Sequence, residues 1–150
     1  MNLVGLFHNN VLLSALFAWL TAQGLKVPME YLRSHRWQWA MAFVAGGMPS
    51  SHSALIVGAT QAIGLHQGYA SPLFALGVVL SMIVTYDAAG VRRQAGKHAE
   101  RINMLFEELM RGQMPDEKEL REVLGHTPLE VAGGVLWGIV VATLMWLAGK

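Results

Sequence analysis

Residues 128–148 read PLEVAGGVLWGIVVATLMWLA, and Glu130 is the one charged residue among them. A helix needs about 20 predominantly apolar residues to span the hydrocarbon core of a bilayer. Three further stretches are apolar in the same way, at about 9–25, 72–89 and, somewhat shorter, 51–65. The sequence therefore predicts an all-α integral membrane helical bundle with about four transmembrane helices.

The composition supports a membrane protein. The chain is 53% hydrophobic and 14% charged, with a mean hydropathy of +0.38, whereas soluble domains carry about 25% charged residues. It has no cysteine, which excludes disulfides and thiolate chemistry. Its 150 residues predict one domain, 1–150, and the first residues lack the basic region of a cleaved signal peptide.

Two segments between the apolar stretches differ from them. Residues 37–45 are apolar but about half a span long, and Trp37 and Trp39 suit the membrane interface, so we expect a short re-entrant or interfacial segment. Residues 92–126 form the polar region of the chain. Their composition predicts a helical hairpin, with helices over about 92–110 and 116–124, as a polar cytoplasmic insertion in the domain.

The cations predict the orientation. Of the eleven Lys and Arg residues, ten lie in two stretches, 26–36 and 92–121, and the last is Lys150. Residues 1–9 and the connector 66–71 have none. The positive-inside rule places both basic stretches in the cytoplasm and both termini outside. We therefore expect a multi-pass protein of a bacterial cytoplasmic membrane or its organelle equivalent.

Residues 46–54 read GGMPSSHSA, and a new apolar helix begins there. A helix start offers unpaired N–H groups and a positive dipole end, which together suit an anion such as phosphate. Ser50 and Ser51 add hydroxyl donors, and His52 can move a proton near neutral pH. The same residues are equally compatible with an ordinary serine N-cap beside a structural histidine.

A second histidine precedes the last span, in the sequence Gly125-His126-Thr127-Pro128-Leu129-Glu130. Thr127 and Glu130 have the spacing of a capping box. His126 and Glu130 are four residues apart, so their side chains can meet on one helical face. A carboxylate bound to one ring nitrogen leaves the other free as a nucleophile, although a structural role for His126 fits as well.

Further charges lie at the same predicted membrane face. Asp87 is near the end of a span, where an acid is costly and is either functional or paired with an arginine. Arg92 and Arg93 follow it, and Lys26 precedes Arg33 by seven positions; all four cations would also serve as membrane-end anchors. Cations and donors at a helix start supply the electrostatic stabilisation that phosphoryl transfer needs. A histidine oriented by an acid can act as the nucleophile, and a second histidine can protonate the leaving oxygen.

These blocks resemble the divergent type 2 phosphatidic acid phosphatase family, which is related to acid phosphatases and vanadium-dependent haloperoxidases. The resemblance covers nearly the whole chain. The superfamily motifs are Lys-x6-Arg-Pro, Pro-Ser-Gly-His and Ser-Arg-x5-His-x3-Asp. Lys26-x6-Arg33 matches the first motif with Ser34 for proline, and Pro49-Ser50-Ser51-His52 matches the second with Ser51 for glycine. His126-x3-Glu130 matches the end of the third with glutamate for aspartate, but the polar hairpin separates Arg93 from His126 by far more than five residues.

The resemblance implies roles for these residues. His126 would attack phosphorus to form a phosphohistidine, Glu130 would orient it, and His52 would protonate the leaving oxygen. Asp87 would position an arginine, and no cofactor or metal is implied. The residues that would hold the phosphoryl oxygens are Lys26, Ser50, Ser51, Arg92, Arg93 and, more weakly, Arg33. An alternative register, Arg92-x5-His98, has the right spacing but places Ile102 where the acid should be.

The resemblance thus implies a metal-independent membrane phosphatase that hydrolyses a phospholipid or polyprenyl phosphate, as a monoester or diphosphate. The alternative function is a non-catalytic membrane protein that binds phospholipid head groups. Plain helical packing with interfacial anchors is a third interpretation, and haloperoxidase activity is the least expected. We expect the bilayer and a lipid phosphate as partners and no nucleic acid. Glycines such as Gly133, Gly134 and Gly138 allow close helix contact within a chain or in a homo-oligomer.

Overall fold

A computed structural model describes residues 3–44, 46–109 and 126–149, and leaves out the side chains of 3, 4, 6, 91–93, 97 and 107–109. Every regular element in these residues is helical, which confirms the predicted all-α fold. The five α-helices are α1 (Asn10–Ser34), α2 (Ser51–Gln67), α3 (Pro72–Ala89), α4 (Val91–Leu109) and α5 (Pro128–Ala148). Two short 3-10 helices, Leu3–His8 and Trp39–Phe43, flank α1.

Three stretches are long and apolar enough to cross a membrane: Asn10–Ser34, Pro72–Phe106 and Pro128–Ala148. The second of these joins α3 to most of α4. The fourth member of the bundle is α2, whose 17 residues would measure about 26 Å as a helix. It packs against α1, α3 and α5 and so forms the centre of the bundle.

The first span is longer than the sequence predicts. We expected it to end near residue 25, before the first cation, but α1 continues to Ser34 and includes Pro28. Lys26 therefore lies within the helix rather than after it, and it is buried. The helix ends at His35, which has a left-handed φ of 53° and donates its N–H to Tyr31 at 2.8 Å.

Both intervening segments contain a helix where the structure describes them. Trp39–Phe43 forms a 3-10 helix that packs on α1, and Trp39 and Phe43 are exposed as an interfacial segment requires. The first helix of the expected hairpin is α4. The second, at 116–124, lies outside the described residues.

Small residues allow α2 and α5 to approach closely. A Cβ on Gly138 would lie 2.7 Å from the carbonyl oxygen of Ala54, and one on Gly134 would lie 2.9 Å from the Cβ of Ser53. Such contacts are typical of membrane bundles, where helices associate through packing rather than through the hydrophobic effect. Gly134 and Gly138 thus serve a contact within the chain.

Polar bonds between helices add to this packing. Trp137 on α5 donates its indole N–H to Thr21 on α1 at 3.0 Å, and Thr60 on α2 lies 3.0 Å from Ser81 on α3. Because the bilayer core offers no water, such groups need partners inside the bundle. These bonds help to hold the four helices in register, so that the N-terminus of α2 lies at one end of the bundle.

Candidate active site

The start of α2 is buried at one end of the bundle. Ser50 is its N-cap: the Ser50 hydroxyl accepts the backbone N–H of Ser53 at 3.4 Å and the Ser53 hydroxyl at 3.0 Å. Ser50, Ser51 and Ser53 are all buried. The chain arrives through Gly47, whose φ of 88° suits glycine, and a cis bond before Pro49. The sequence therefore places a serine-lined helix start inside the protein.

The start of α5 has the full capping box. Thr127 accepts the backbone N–H of Glu130 at 3.3 Å on its hydroxyl, and Glu130 accepts the backbone N–H of Thr127 at 3.0 Å on Oε2. Pro128 occupies the first helical turn, where its missing N–H costs nothing. This local structure fixes the carboxylate of Glu130 at the helix start.

The same carboxylate contacts His126. Nδ1 of His126 lies 3.3 Å from Oε2 of Glu130, and the ring is 3% exposed. The backbone N–H of His126 donates to the carbonyl of Ala88 at 3.0 Å, which ties it to the end of α3. A carboxylate partner favours the tautomer with the proton on Nδ1, so Nε2 carries a free lone pair.

The two histidines face each other across the helix starts. The ring centroids of His52 and His126 are 6.4 Å apart, with the planes tilted by 56°. His52 lies in the first turn of α2 and is half-buried. At this separation, both rings can reach a single phosphoryl group, one as nucleophile and the other as acid.

Lys26 brings a cation to the site from α1. It is 1% exposed, and its Nζ donates to the carbonyl of Val44 at 2.8 Å. Its charge interacts with that of Glu130. Arg33, two turns later on α1, is exposed and also interacts electrostatically with Glu130. The structure thus places a buried cation and an exposed one on the side of the site that α1 covers.

The structure describes the side chains of only some of the remaining predicted site residues. Asp87 is half-buried in the last turn of α3, beside Ala88. Arg92 and Arg93 begin α4, but their side chains lie outside the described residues, as does the expected pairing of Asp87 with either of them. His98 is exposed on α4, a helix that contacts only α3 among the described elements. The structure therefore sets His126, and not His98, against His52.

Two features of the site escaped the sequence analysis. Gln23, one turn before Lys26, donates to the same Val44 carbonyl at 3.4 Å, and its Oε1 is buried without a hydrogen-bond partner in the described structure. A polar residue inside an apolar span was the available signal. The bond from the Ser50 N–H to the Glu130 carbonyl, at 2.9 Å, joins two segments far apart in sequence and left no signal.

Comparison with known proteins agrees with the sequence resemblance. The divergent PAP2 family matches residues 7–141, a range that includes every candidate site residue. The membrane protein YuiD of Bacillus subtilis (strain 168), described as uncharacterized, is 37% identical over 151 positions that cover 93% of this chain and 96% of the relative. No solved structure matches the chain. The chain is an integral membrane protein that belongs to the divergent PAP2 family.

Proposed function

We propose that this protein is a membrane-embedded phosphatase that hydrolyses a lipid phosphate, a monoester or diphosphate, through a phosphohistidine intermediate. The observation that carries the proposal is the arrangement of His126: it is held by Glu130 at 3.3 Å and stands 6.4 Å, centroid to centroid, from His52. A histidine oriented by a carboxylate beside a second histidine has the parts of covalent acid–base catalysis.

In the first step, Nε2 of His126 attacks phosphorus and the bond from phosphorus to the lipid oxygen breaks. His52 gives its proton to that oxygen, so the lipid leaves as a neutral alcohol or, from a diphosphate, as the monophosphate. Glu130 holds the Nδ1 proton of His126 and stabilises the positive charge that the ring gains as the N–P bond forms.

In the second step, a water molecule attacks phosphorus and the N–P bond breaks. His52, now neutral, accepts the proton from that water, and inorganic phosphate is released. Both histidines return to their starting states, so the cycle balances without a redox partner.

The charge that develops on the phosphoryl oxygens needs stabilisation throughout. The start of α2 supplies backbone N–H groups and the positive end of its dipole, and Ser51 is buried in its first turn. Lys26 supplies a cation from α1, and we assign Arg92 and Arg93 to the same task from the sequence. Preorganised donors of this kind are usually the largest contribution to such catalysis.

The site lies on the cytoplasmic side in this proposal, because the basic stretches of the sequence flank it there. The substrate would then enter from the inner leaflet. The helix starts lie at the end of apolar spans, so a lipid can present its phosphate there while its chains stay in the bilayer. Phospholipid and polyprenyl phosphates share this chemistry, and assay of both distinguishes them.

The test is phosphate release from purified protein in mixed micelles with phosphatidic acid and a polyprenyl phosphate or diphosphate. His126→Ala should lower the rate on the order of 10³-fold or more, and His52→Ala by about 10²–10⁴-fold. His66→Ala is the matched control, because His66 is exposed at the far end of α2 and should retain full activity. Radiolabelled substrate should leave acid-labile label on the protein, and His126→Ala should not retain it.

Two results would change the assigned nucleophile or the proposed function. Full activity in His126→Ala together with loss in His98→Ala would place the nucleophile on α4. No turnover of either lipid class, with phosphate and vanadate bound equally well, would identify a head-group-binding protein, because a catalytic site holds the transition-state mimic vanadate more tightly.

A further inference from the structure

The helix α4 carries an apolar stripe. Its apolar residues recur every three or four positions, the spacing of one helical face. The described members of the stripe are Ala95, Ala99, Ile102, Leu105 and Phe106. At about 100° per residue they cover an arc of roughly 120°. His98 also falls within this arc, whereas Met104 lies opposite it, so the uninterrupted part of the stripe is its far half, from Ile102 to Phe106.

The far half of this stripe is uncovered. Ile102, Leu105 and Phe106 are 41%, 57% and 53% exposed, although each is a large apolar side chain. Among the described elements α4 contacts α3 alone. Exposed apolar residues in register on a helix indicate a surface that binds another apolar phase.

The position of α4 in the chain indicates which phase this is. One residue, Gly90, separates α4 from α3, and the N–H of Gln94 donates to the Gly90 carbonyl at 3.0 Å across the junction. The candidate span Pro72–Phe106 contains α3 and most of α4, but its uncharged part is in α3 and its charges, apart from Asp87, are in α4, so we place the end of the hydrocarbon core near Gly90. The nearest apolar surface to the stripe is therefore the boundary between head groups and acyl chains.

The charges of α4 fit the same surface. Helical register places Arg101 at one margin of the stripe and Glu100 on the opposite face. Both Arg101 and Glu100 are exposed. A long cationic side chain at the margin of an apolar stripe can reach head groups while the stripe lies in the acyl boundary, as in helices that lie in the plane of a membrane surface.

We propose that α4 lies in the plane of the bilayer interface, with its stripe in the acyl boundary and Arg101 on anionic head groups. It is then an in-plane anchor beside the candidate active site rather than a helix that stands in solution. This inference does not depend on catalysis, so it can hold whether or not the protein is a phosphatase.

The absence of native cysteine makes the test direct. Nitroxides are placed singly at Ile102→Cys, Phe106→Cys and Glu100→Cys, in vesicles of phosphatidylcholine alone or in an equal mixture with phosphatidylglycerol. The EPR signals of nitroxides at positions 102 and 106 should be broadened more by oxygen than by a water-soluble nickel chelate. The ratio of the two effects should correspond to a depth of about 5–10 Å in the bilayer. Position 100, on the opposite face, should show the reverse.

Nickel accessibility at 106 equal to that at 100 would overturn the proposal, because α4 would then stand in water. Protection of 106 from both reagents would also overturn it, since another part of the chain or a second copy would cover the stripe. The nitroxide at position 106 should lie deeper in vesicles that contain phosphatidylglycerol than in phosphatidylcholine alone. Arg101→Gln should reduce this difference in depth. Equal depth in both vesicles would overturn the assigned role of Arg101.

Discussion

Ser50 donates its backbone N–H to the carbonyl oxygen of Glu130 at 2.9 Å, and this bond joins the start of α2 to the start of α5. It brings two helix N-termini, each with a histidine beside it, to one end of the bundle. Gly134, one turn after Glu130, permits the approach, because a Cβ there would collide with the carbonyl oxygen of Ser50. The site therefore depends on close contact between two backbones.

We predict that Gly134→Ala destabilises the protein and distorts the site. The added methyl would overlap the Ser50 carbonyl and lie 2.9 Å from the Cβ of Ser53, and neither atom belongs to a flexible side chain. Overpacking of this kind costs about 1–3 kcal/mol. Denaturation in detergent micelles measures the cost, and phosphate release should fall with it.

Gly24→Ala is the matched control. Gly24 lies within α1, and a Cβ there meets nothing within 4 Å. Alanine is the better helix former by about 1 kcal/mol, so this variant should be as stable as the parent or more so. Equal stability of Gly134→Ala and Gly24→Ala would contradict the close packing of α2 on α5.

Replacing the carboxylate of Glu130 separates its two roles. Glu130→Gln keeps an oxygen that can accept the Thr127 N–H, so the capping box and the stability of the fold should be retained. It removes the charge that holds the His126 ring, so we expect kcat to fall by about 10²–10⁴-fold with little change in KM. Steady-state kinetics measures both constants.

Thr127→Ala should have the opposite effect to Glu130→Gln, because it weakens the cap and leaves the orientation of His126 unchanged. It removes the cap hydroxyl but leaves the bond between Glu130 and His126, so it should cost about 1 kcal/mol of stability and little activity. A Glu130→Gln enzyme with normal kcat would show that the carboxylate serves only to cap α5.

The sequence predicted the helices because their ends carry local signals. Pro72 and Pro128 follow serine and threonine caps, and both helices begin where that pattern predicts. The contact between His126 and Glu130 was also predictable, because the two residues are four positions apart and the capping box places Glu130 in the first turn of α5. The end of α1 was missed because a cation at position 26 predicts the end of an apolar span, whereas Lys26 is buried beside the site and α1 continues to Ser34.

What the sequence could not give is the contact between distant segments. The distance between His52 and His126 depends on glycine packing and on the Ser50 bond, and neither follows from the spacing of motifs. The unpartnered oxygen of Gln23 depends likewise on the approach of Val44 to α1. A polar residue inside an apolar span indicates that Gln23 needs a partner, but neither contact follows from local sequence, because each joins segments that are far apart along the chain.

The two cations of α1 should differ in their effect. Lys26 is buried beside the site, so Lys26→Met removes an unscreened charge and should lower kcat/KM on the order of 10²–10³-fold and weaken vanadate binding. Arg33 is exposed, and solvent screens it, so Arg33→Gln should lower kcat/KM by less than about tenfold. A loss in Lys26→Met no larger than that in Arg33→Gln would contradict a role for Lys26 in holding the phosphoryl group.

Cysteine labelling tests the orientation, because the chain has no cysteine of its own. Four spans place both termini on one side, and the positive-inside rule assigns that side to the exterior. In intact bacterial cells, a membrane-impermeant thiol reagent should label Gly5→Cys and Gln67→Cys, which are exposed at the end of the bundle opposite His52 and His126. Gln94→Cys, exposed on α4, should react only after the membrane is opened. Labelling of Gln94→Cys alone in intact cells would invert the topology and give the site access to the outer leaflet instead.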